Sequence, residues 1–445
     1  MIRNVTKHRY LNIIIILLLI LLTACNSNSE PEDQLSGTLR IGCYDEDIFV
    51  NTYGNYLSQK YPNLSYEVIP YNFNSNEDIN IQLEEYINRV GPDILILNSS
   101  QYKYLAENNM ILDLNTYIKD DQFDIKNILT SVVEFIKNNG DGNLRGLSPT
   151  FHSSAIFFNK NLFDEFGIPY PQAGMSWDEV INLANRFPAS TSNNEQFFAL
   201  KGQAIDSPFK LLWEISRTNN LSFFEGDNKT FNITTDAWKD VFNMVDVEFK
   251  NKKVKMEKED RTPTEKDNNK SLQEKDSFLN GKTAMALEGS YYLHNLQQFE
   301  PSVVSFEWDI IDAPIDPNNP DTNSNFNVSE IFSIPSSAKD PDLSWSIISY
   351  INGESFSKLL SGITWDLLSR EEYIKNPNGY NISAFYSKEP ANLPSLSNEE
   401  VPEKALVEIF GIINVELLKI LNDEVTIDDG LQHIQKSAEA TLLRY

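Results

Sequence analysis

The sequence predicts an α/β protein of two lobes, and two observations lead to that prediction. Short apolar segments alternate with helical segments between residues 37 and 97, which is typical of strands and helices around a parallel sheet. The chain has 445 residues, whereas single hydrophobic cores stop growing near roughly 250 to 300 residues. The length therefore favours two cores.

Three apolar segments predict the strands of the first sheet. TLRIGCY and LSYEVIPY have the length of strands, and GPDILIL is an apolar run that follows Gly-Pro, as expected of a buried parallel strand. Helices are predicted around residues 51–60 and over residues 77–90, between these strands. This order of elements indicates an α/β sheet.

Later segments add two helix starts and one strand. Ser176 precedes Glu179 by three residues, the spacing of a capping box ahead of an apolar helical face. In ITTDAWKDVFNMV, either Thr234 or Thr235 is predicted to cap a helix. GKTAMALEGS predicts a strand that runs into Gly289, where the backbone can turn closely past a ligand.

Residues 1–24 are organised like a secretory signal peptide. A basic head precedes an apolar run over residues 13–22, too short for the roughly 20 residues that span a bilayer. LTAC, ending at Cys25, resembles the lipobox of bacterial lipoproteins. That resemblance implies that Cys25 is acylated, with a palmitate-type anchor, and that residues 25–36 tether the protein to the extracytoplasmic face of the cell membrane. The alternative, an ordinary signal peptide or an uncleaved anchor, leaves Cys25 without a role.

Charge and cysteine content restrict the partners and the sources of stability. The net charge is -27, which argues against nucleic acid or anionic lipid as the main partner. Cys25 and Cys43 are the two cysteines, so no intrachain disulfide forms once Cys25 is acylated. Cys43 lies in the apolar run LRIGCY and is predicted to be a buried thiol.

Two segments have the composition of polar excursions. Residues 250–277 are rich in Lys, Glu, Asp and Asn and predict a solvated excursion, while residues 316–325 have the Pro and Asn content of a loop. The aspartates of the second segment, with Asp309 and Asp312, raise the question of calcium. Their spacing matches no EF-hand loop, so no metal site is predicted.

Motifs for catalysis are largely missing from the sequence. The four histidines are dispersed, and the sequence contains no GxSxG, Walker or GxGxxG motif. SPFK matches the SxxK of penicillin-recognising enzymes, but neither SDN nor KTG accompanies it. A pair of carboxylates for glycoside hydrolysis stays open, because such acids come from any part of a chain. Binding without a cofactor is the default prediction.

Several segments, in chain order, resemble the extracellular solute-binding proteins of ABC importers, the family that includes maltose-binding protein and other sugar-binding lipoproteins. They are GPDILIL followed by LAENNMILDLNTYI, then FFNKNLFDEFGIPYPQAGMSWDEV, and FLNGKTAMALEGSYYL. The second is the most specific, because its Asn-Lys, LF, GIP and SWDE recur together in that family. Gly167 within GIP is also predicted to cap a helix in the left-handed conformation.

The resemblance implies a two-lobe, periplasmic-binding-protein-like fold with a ligand cleft between the lobes and three hinge crossings. The crossings are predicted near residues 148–153, 328–334 and 353–362. Lobe one then comprises residues 37–150 and 331–352. Lobe two comprises residues 151–330 and 353–445.

Ligands of open α/β sheets bind at the carboxyl ends of strands, which here line the cleft. Trp213 lies in an apolar helical run and is assigned to the core. After the last crossing, SGITWDLLSREEY lacks the Gly and Pro that family members commonly carry. This departure concerns the floor of the cleft, so the resemblance supports membership of the family more strongly than it supports a sugar as the ligand. The predicted ligand-binding residues are Tyr44, Asp45, Glu46, Asn98, Gln101, Tyr102, Phe151, His152, Asp206, Phe209, Tyr291, Tyr292 and Trp365.

The resemblance therefore implies a monomeric, lipid-anchored substrate-binding protein that is not an enzyme. It closes its hinge over a small polar solute, a sugar or an oligosaccharide, and delivers it to an ABC permease. Two alternatives stay open. One is a surface glycoside hydrolase, and the other is a ligand-sensing subunit of a membrane receptor.

Overall fold

The computed structural model describes residues 35–74, 78–190, 197–225, 230–256, 275–299, 304–393, 401 and 403–445. The predicted signal peptide, Cys25 and most of the charged excursion (residues 257–274) lie outside the described residues. Within the described ranges, no helix combines the length and the apolar character needed to cross a membrane.

The strands and helices alternate along most of the chain. The strands are β1 (Gly37–Cys43), β2 (Leu64–Pro70), β3 (Ile94–Leu97), β4 (Thr150–Phe151), β5 (Ser154–Asn159), β6 (Phe198–Gly202), β7 (Phe224–Glu225), β8 (Thr230–Phe231), β9 (Thr283–Gly289), β10 (Trp308–Asp312), β11 (Thr322–Asn323), β12 (Ile331–Ser333), β13 (Leu367–Leu368) and β14 (Glu389–Pro390). The α-helices are α1 (Glu46–Phe49), α2 (Asn55–Lys60), α3 (Ile79–Val90), α4 (Ser99–Glu107), α5 (Asn115–Asp120), α6 (Thr130–Asn138), α7 (Lys160–Phe166), α8 (Trp177–Ala184), α9 (Pro208–Thr218), α10 (Asp236–Asn251), α11 (Tyr291–Phe299), α12 (Pro341–Ile351), α13 (Glu354–Ile363), α14 (Glu403–Leu421) and α15 (Ile427–Leu442). The predicted α/β class is confirmed.

Lobe one is built on a sheet with the strand order β12-β3-β1-β2. β1 pairs in parallel with β2 and β3, and β12 returns antiparallel to β3. The three predicted strands and both predicted helices of this region are confirmed, with α1 continuing through a π-helical turn into α2. Cys43 is buried at the end of β1, and burial raises the pKa of its thiol to about 11.

Lobe two is built on a second sheet with the order β10-β5-β9-β6. β6 runs parallel to β9, while β5 is antiparallel to both β9 and β10. The capping box at Ser176 is confirmed, and Thr235 rather than Thr234 caps α10. Gly167 ends α7 with φ of 63°, as predicted for a left-handed cap.

Three clusters of buried apolar side chains stabilise the two sheets. One lies on a face of the lobe-two sheet, where helices α14 and α15 cover it, and one lies on a face of the lobe-one sheet beneath α12 and α13. The third contains side chains from both lobes, such as Leu95 of β3 and Phe157 of β5. The lobes therefore share a continuous core beside the crossings.

The first two segments between the lobes lie side by side. The backbone of His152 exchanges hydrogen bonds of 2.8 and 2.9 Å with Asn327, and Leu147 pairs with Phe332. Both contacts lie within or next to the first two predicted crossings.

The third crossing lies later in the chain than we predicted from the family resemblance. Phe356 and Leu360 of α13 are buried in the lobe-one core, and the Phe356 ring lies 5.8 Å from that of Tyr53. α13 therefore belongs with lobe one, and the chain leaves through β13, which pairs with β4. The chain crosses later than predicted because lobe one buries the apolar face of α13.

Candidate functional site

A cavity of about 360 Å³ opens at the carboxyl ends of β6 and β9 in lobe two. This is the end of the sheet at which α/β proteins bind ligands. Its wall combines two aromatic rings with carboxylate, amide and hydroxyl groups. The residues that line it include Ser154, Gln203, Lys210, Trp213, Glu214, Glu288 and Tyr291.

Local backbone geometry explains how these side chains reach one place. Gln203 directly follows β6, and Glu288 is the last residue but one of β9. Tyr291 begins α11 immediately after the turn at Gly289, where an added Cβ would lie 3.0 Å from the Tyr291 ring. Glycine at this position therefore lets the Tyr291 ring lie against the strand end, whereas the predicted approach of a ligand to Gly289 stays a prediction.

Tyr291 and Glu288 form the polar edge of the cavity. The Tyr291 hydroxyl lies 2.7 Å from Glu288 Oε2 and 2.9 Å from Gln203 Oε1. Tyr291 is 43% exposed, whereas Glu288 is only 2% exposed. The buried carboxylate of Glu288 is thus hydrogen-bonded to the accessible hydroxyl of Tyr291 at the edge of the cavity.

A buried cluster of charges lies behind Glu288. Lys201 Nζ is 2.5 Å from Asp276 Oδ2 and 3.7 Å from Glu288 Oε1. Asp276 Oδ1 accepts hydrogen bonds from two backbone N–H groups and from the Tyr292 hydroxyl. Hydrogen bonds of this kind offset the cost of burying charge, so the cluster holds Glu288 in place.

A second carboxylate, that of Glu214, faces the cavity from α9. Both of its oxygens accept from Arg217 Nη2, at 3.0 and 3.1 Å. Burial raises the pKa of Glu214, and the Arg217 charge opposes that shift. Arg217 also donates to the backbone oxygen of Ser324, which connects α9 to the segment leading into the second crossing.

Trp213 supplies the larger apolar surface of the cavity. Its ring stacks on Phe223 with centroids 5.9 Å apart and meets the edge of Phe410 at 5.5 Å. The sequence placed Trp213 in the core, but the structure leaves it only partly buried, at the cavity wall. Phe209 packs on Phe410 beside it, at 6.0 Å.

The predicted residues of lobe one form a separate polar group at the ends of β1 and β3. Asn98 Nδ2 donates to the Tyr44 hydroxyl at 2.9 Å, and Asn98 forms a capping box with Gln101. Tyr44 is 51% exposed, and partial burial raises its pKa. Asp45 caps α1, and Glu46 is exposed beside it.

Ionisable side chains also gather at the crossings. Tyr53 donates to Glu330 Oε2 at 2.7 Å; burial raises the pKa of Glu330, and nearby His152 opposes that rise. Trp365 stacks on His294 of α11 at 4.8 Å, and Lys375 Nζ lies 4.5 Å from its ring centroid. Trp365 therefore contacts lobe two, and sequence reasoning did not single out His294 as its partner.

Three predicted binding residues are buried in the core instead. Tyr102, Phe151 and Tyr292 have no exposed surface, and their rings pack in the cluster shared by both lobes. Tyr102 uses its hydroxyl to accept from the backbone of Arg145. Tyr102 and Tyr292 lie in helices, where residues on different faces point in different directions, so a position shortly after a strand does not by itself direct a side chain to the cleft.

Most of the cavity residues were missed at the level of sequence. Tyr291 was predicted, and predicted Asp206 contributes indirectly by binding Lys210 at 2.7 Å. Gln203 had a usable signal, because it directly follows a predictable strand. Ser154, Glu214 and Glu288 had none that separated them from other polar residues in apolar runs.

Metal binding finds no support in the described ranges. Among those residues, no group of three or more His, Cys, Asp or Glu side chains is arranged to hold an ion.

Comparison with known proteins identifies a related family. The family model described as bacterial extracellular solute-binding protein matches residues 59–355, more than half of the chain. A search of curated proteins found no match.

Solved structures of similar fold come from several bacteria. The sugar-binding protein MalE from Xanthomonas citri superposes with a TM-score of 0.64 at 15% identity, covering 92% of this chain and 98% of that chain. An ABC substrate-binding protein from Listeria monocytogenes, in complex with cycloalternan, gives 0.57 at 18% identity, covering 92% and 99%. A cyclic α-maltosyl-1,6-maltose binding protein from Arthrobacter globiformis gives 0.58 at 17% identity, covering 92% and 100%. These likenesses support the two-lobe fold.

Proposed function

Because the chain belongs to the bacterial extracellular solute-binding protein family, we propose that it binds a sugar or an oligosaccharide between its lobes. The observation that carries the proposal is the lobe-two cavity, where Trp213 and Tyr291 lie beside the carboxylates of Glu214 and Glu288. It lies at the carboxyl end of the lobe-two sheet, and the polar group around Tyr44 lies at the corresponding end of the lobe-one sheet. The two groups would form opposite walls of one site.

The chemistry of this cavity suits a carbohydrate. Sugar rings present C–H faces that pack on aromatic side chains, and their hydroxyls bond to carboxylates and amides. A volume of about 360 Å³ falls within the range of small-molecule sites. The Listeria and Arthrobacter proteins bind cycloalternan and cyclic α-maltosyl-1,6-maltose according to their names, which makes α-glucans the first ligands to test.

The proposed mechanism is hinge closure. A ligand that contacts both lobes stabilises the closed form over the open one, by as much as its affinities for the two forms differ. Closure then presents both lobes to an ABC permease, which accepts the solute. No covalent step, metal or cofactor is needed, and ATP hydrolysis belongs to a separate subunit.

Binding is tested by thermal shift and calorimetry with purified residues 31–445. The panel contains maltose, maltotriose, cycloalternan, amino acids, polyamines and phosphate esters. A ligand at about 1,000 times its dissociation constant adds about 4 kcal/mol to the folded state, so a clear rise in Tm is expected with a carbohydrate. A rise with amino acids or polyamines alone would overturn the carbohydrate assignment. Release of reducing ends during incubation would point to a hydrolase.

We also propose that acylated Cys25 anchors the protein at the extracytoplasmic face of the membrane. The Cys25→Ala variant is expected to lose metabolic acyl labelling and to leave the membrane fraction, because no lipid then holds the chain. The matched control is Cys43→Ala, which removes a buried thiol and should keep both the label and the membrane location. Membrane-bound, labelled Cys25→Ala protein would disprove the anchor.

A further inference from the structure

We propose that Arg217 is a positioning residue for hinge closure, because it connects the cavity carboxylate of Glu214 to residues 323–327, the entry segment that precedes the second crossing. The inference rests on the proposed function and goes beyond it by naming the residue through which an occupied cavity acts on the hinge. It is supported by the contacts of the guanidinium, by the attachment of the entry segment to the first crossing, and by a further contact between the cavity wall and that crossing.

Arg217 binds the cavity wall and the entry segment at the same time. It lies in the last turn of α9, where its Nη2 is 3.0 and 3.1 Å from the two carboxylate oxygens of Glu214. The same nitrogen donates to Asn325 Oδ1 at 2.5 Å, and Nη1 donates to the Ser324 carbonyl oxygen at 2.8 Å. A planar guanidinium has donors on several edges and therefore bonds to both sides in one fixed geometry. Arg217 thus fixes Glu214 relative to the entry segment.

A neighbouring contact fixes the end of α9 to the same segment. The Thr218 and Ser324 hydroxyls are 3.2 Å apart, and both residues are buried. The Thr218 hydroxyl also accepts from Trp177 Nε1 of α8 at 3.1 Å. Because buried hydrogen bonds are costly to break, we expect the end of α9 and the entry segment to move as one unit.

The entry segment is attached in turn to the first crossing. Asn323 Nδ2 donates to Ser153 Oγ at 3.0 Å, and both residues are buried. Asn323 Oδ1 accepts from the backbone N–H of Asn325 at 2.8 Å. At the end of the segment, Asn327 exchanges backbone hydrogen bonds with His152. A chain of direct contacts therefore runs from the cavity wall to the first two crossings.

A second part of the cavity wall reaches the same point. The Ser290 N–H donates to the Ser153 carbonyl oxygen at 3.0 Å. Ser290 lies between Gly289 and Tyr291, which both line the cavity, and Ser154 lines it directly after Ser153. Two parts of the wall thus contact the first crossing at Ser153.

This arrangement makes a ligand contact at Glu214 depend on the position of the hinge. A ligand shifts the equilibrium between open and closed forms only by as much as its contacts differ between the two forms. A carboxylate that reoriented freely would follow the ligand in both forms, and its contact would favour neither. A carboxylate fixed to the entry segment meets a ligand that spans both lobes best in one position of the hinge. Coupling between sites through such networks changes affinity by about 5- to 150-fold.

The test separates binding from closure in Arg217→Lys. Lysine keeps a positive charge beside Glu214 but has one nitrogen, so it does not reproduce the fork that binds Glu214 and the entry segment together. Calorimetry measures the affinity for maltose, maltotriose and cycloalternan, and small-angle X-ray scattering measures the closed fraction at saturating sugar. We expect the affinity to fall by about 10-fold, and the closed fraction at saturation to fall from nearly complete to below about half. A merely structural loss would lower Tm and affinity but leave the saturated protein closed.

Asn325→Ala measures the same connection from its other end. It removes the acceptor in the entry segment and leaves the ion pair of Arg217 with Glu214 in place. We expect a lower closed fraction here too, and no further fall when Asn325→Ala is combined with Arg217→Lys, because both changes break one connection. Additive losses would mean that two independent contacts had been removed, which would overturn the proposed connection.

Arg145→Lys serves as the matched control. Arg145 also binds a backbone oxygen and an asparagine side chain through its two terminal nitrogens, those of Ile111 at 2.9 Å and Asn109 at 3.2 Å, but both partners lie in lobe one. Its replacement should leave the affinity and the closed fraction at parent values. A fall equal to that of Arg217→Lys would show that the effect is not specific to Arg217 and would overturn the inference. Thermal unfolding of every variant confirms that folded protein is measured.

The outcomes separate this inference from the proposed function. Full closure of saturated, folded Arg217→Lys would remove Arg217 from the mechanism while leaving sugar binding and hinge closure intact. If the parent protein binds a sugar without closing, hinge closure falls and this inference falls with it. If none of the three sugars binds, the proposed sugar binding by this cavity falls, and the role of Arg217 falls as well.

Discussion

Replacing Asp276 with alanine is expected to destabilise the protein by about 3 to 5 kcal/mol, the usual cost of removing one partner of a buried ion pair. Asp276 accepts two backbone N–H groups and the Tyr292 hydroxyl, besides its ion pair with Lys201. Alanine would leave these donors without Asp276 as acceptor in a region closed to water. Lys201 would lose its 2.5 Å ion pair with Asp276 and keep the longer one with Glu288, at 3.7 Å.

Urea unfolding, followed by far-UV circular dichroism, measures this effect. Asp309→Ala is the control, because Asp309 forms a partly exposed ion pair with Lys160 at 3.2 Å. Such surface pairs contribute about 1 kcal/mol or less, so Asp309→Ala should unfold close to the parent. If Asp276→Ala costs no more than Asp309→Ala, the buried cluster is not a source of stability. The positioning of Glu288 by that cluster would then have to be abandoned.

Asp276 illustrates what the sequence could not reveal. It lies in a segment whose composition predicted a solvated excursion, yet its carboxylate is buried beside Lys201 of β6. Lys201 is 75 positions away in the chain, and no local pattern indicates a pair of that separation. Composition reports the average environment of a segment, whereas an ion pair depends on where two distant segments meet.

Local patterns predicted the elements of the fold well, because each depends on neighbouring residues. The apolar runs of β1, β2, β3 and β9 and the capping box at Ser176 act within a few positions of the chain. The predicted third crossing, which assigned α13 to lobe two, failed for a different reason. Phe356 and Leu360 are spaced as one helical face, but that spacing does not say which lobe buries the face.

The adjacent tyrosines after β9 show the same limit within the site. Both were predicted to bind ligand, and the structure turns Tyr291 toward the cavity while Tyr292 is buried in the core. The direction depends on how α11 begins after Gly289, which is a matter of tertiary packing. For Trp213 the prediction failed in the opposite direction. Its apolar helical run assigned it to the core, but its ring lines the cavity.

Trp213→Ala is expected to weaken binding of the responsive sugar by about 2 kcal/mol, or about 30-fold, as for the loss of an aromatic anchor at a binding site. Trp213 has the largest apolar side chain of the cavity wall, and stacking on Phe223 holds its indole ring in one orientation. A preorganised ring loses little conformational entropy when a sugar packs on it. A larger share of the free energy of that contact therefore contributes to the affinity. Calorimetry with the sugar that raises Tm measures the loss.

Two further variants separate binding from folding in this experiment. Trp213→Phe keeps an aromatic ring beside Phe223 and Phe410, so it should retain most of the stability and an intermediate affinity. Tyr170→Ala removes a partly exposed aromatic side chain of lobe two that does not line the cavity, and it should bind as the parent does. Parent-like affinity in folded Trp213→Ala would place the sugar elsewhere. The candidate would then be the surface of lobe one, where Tyr44 and Asn98 lie at the carboxyl ends of β1 and β3.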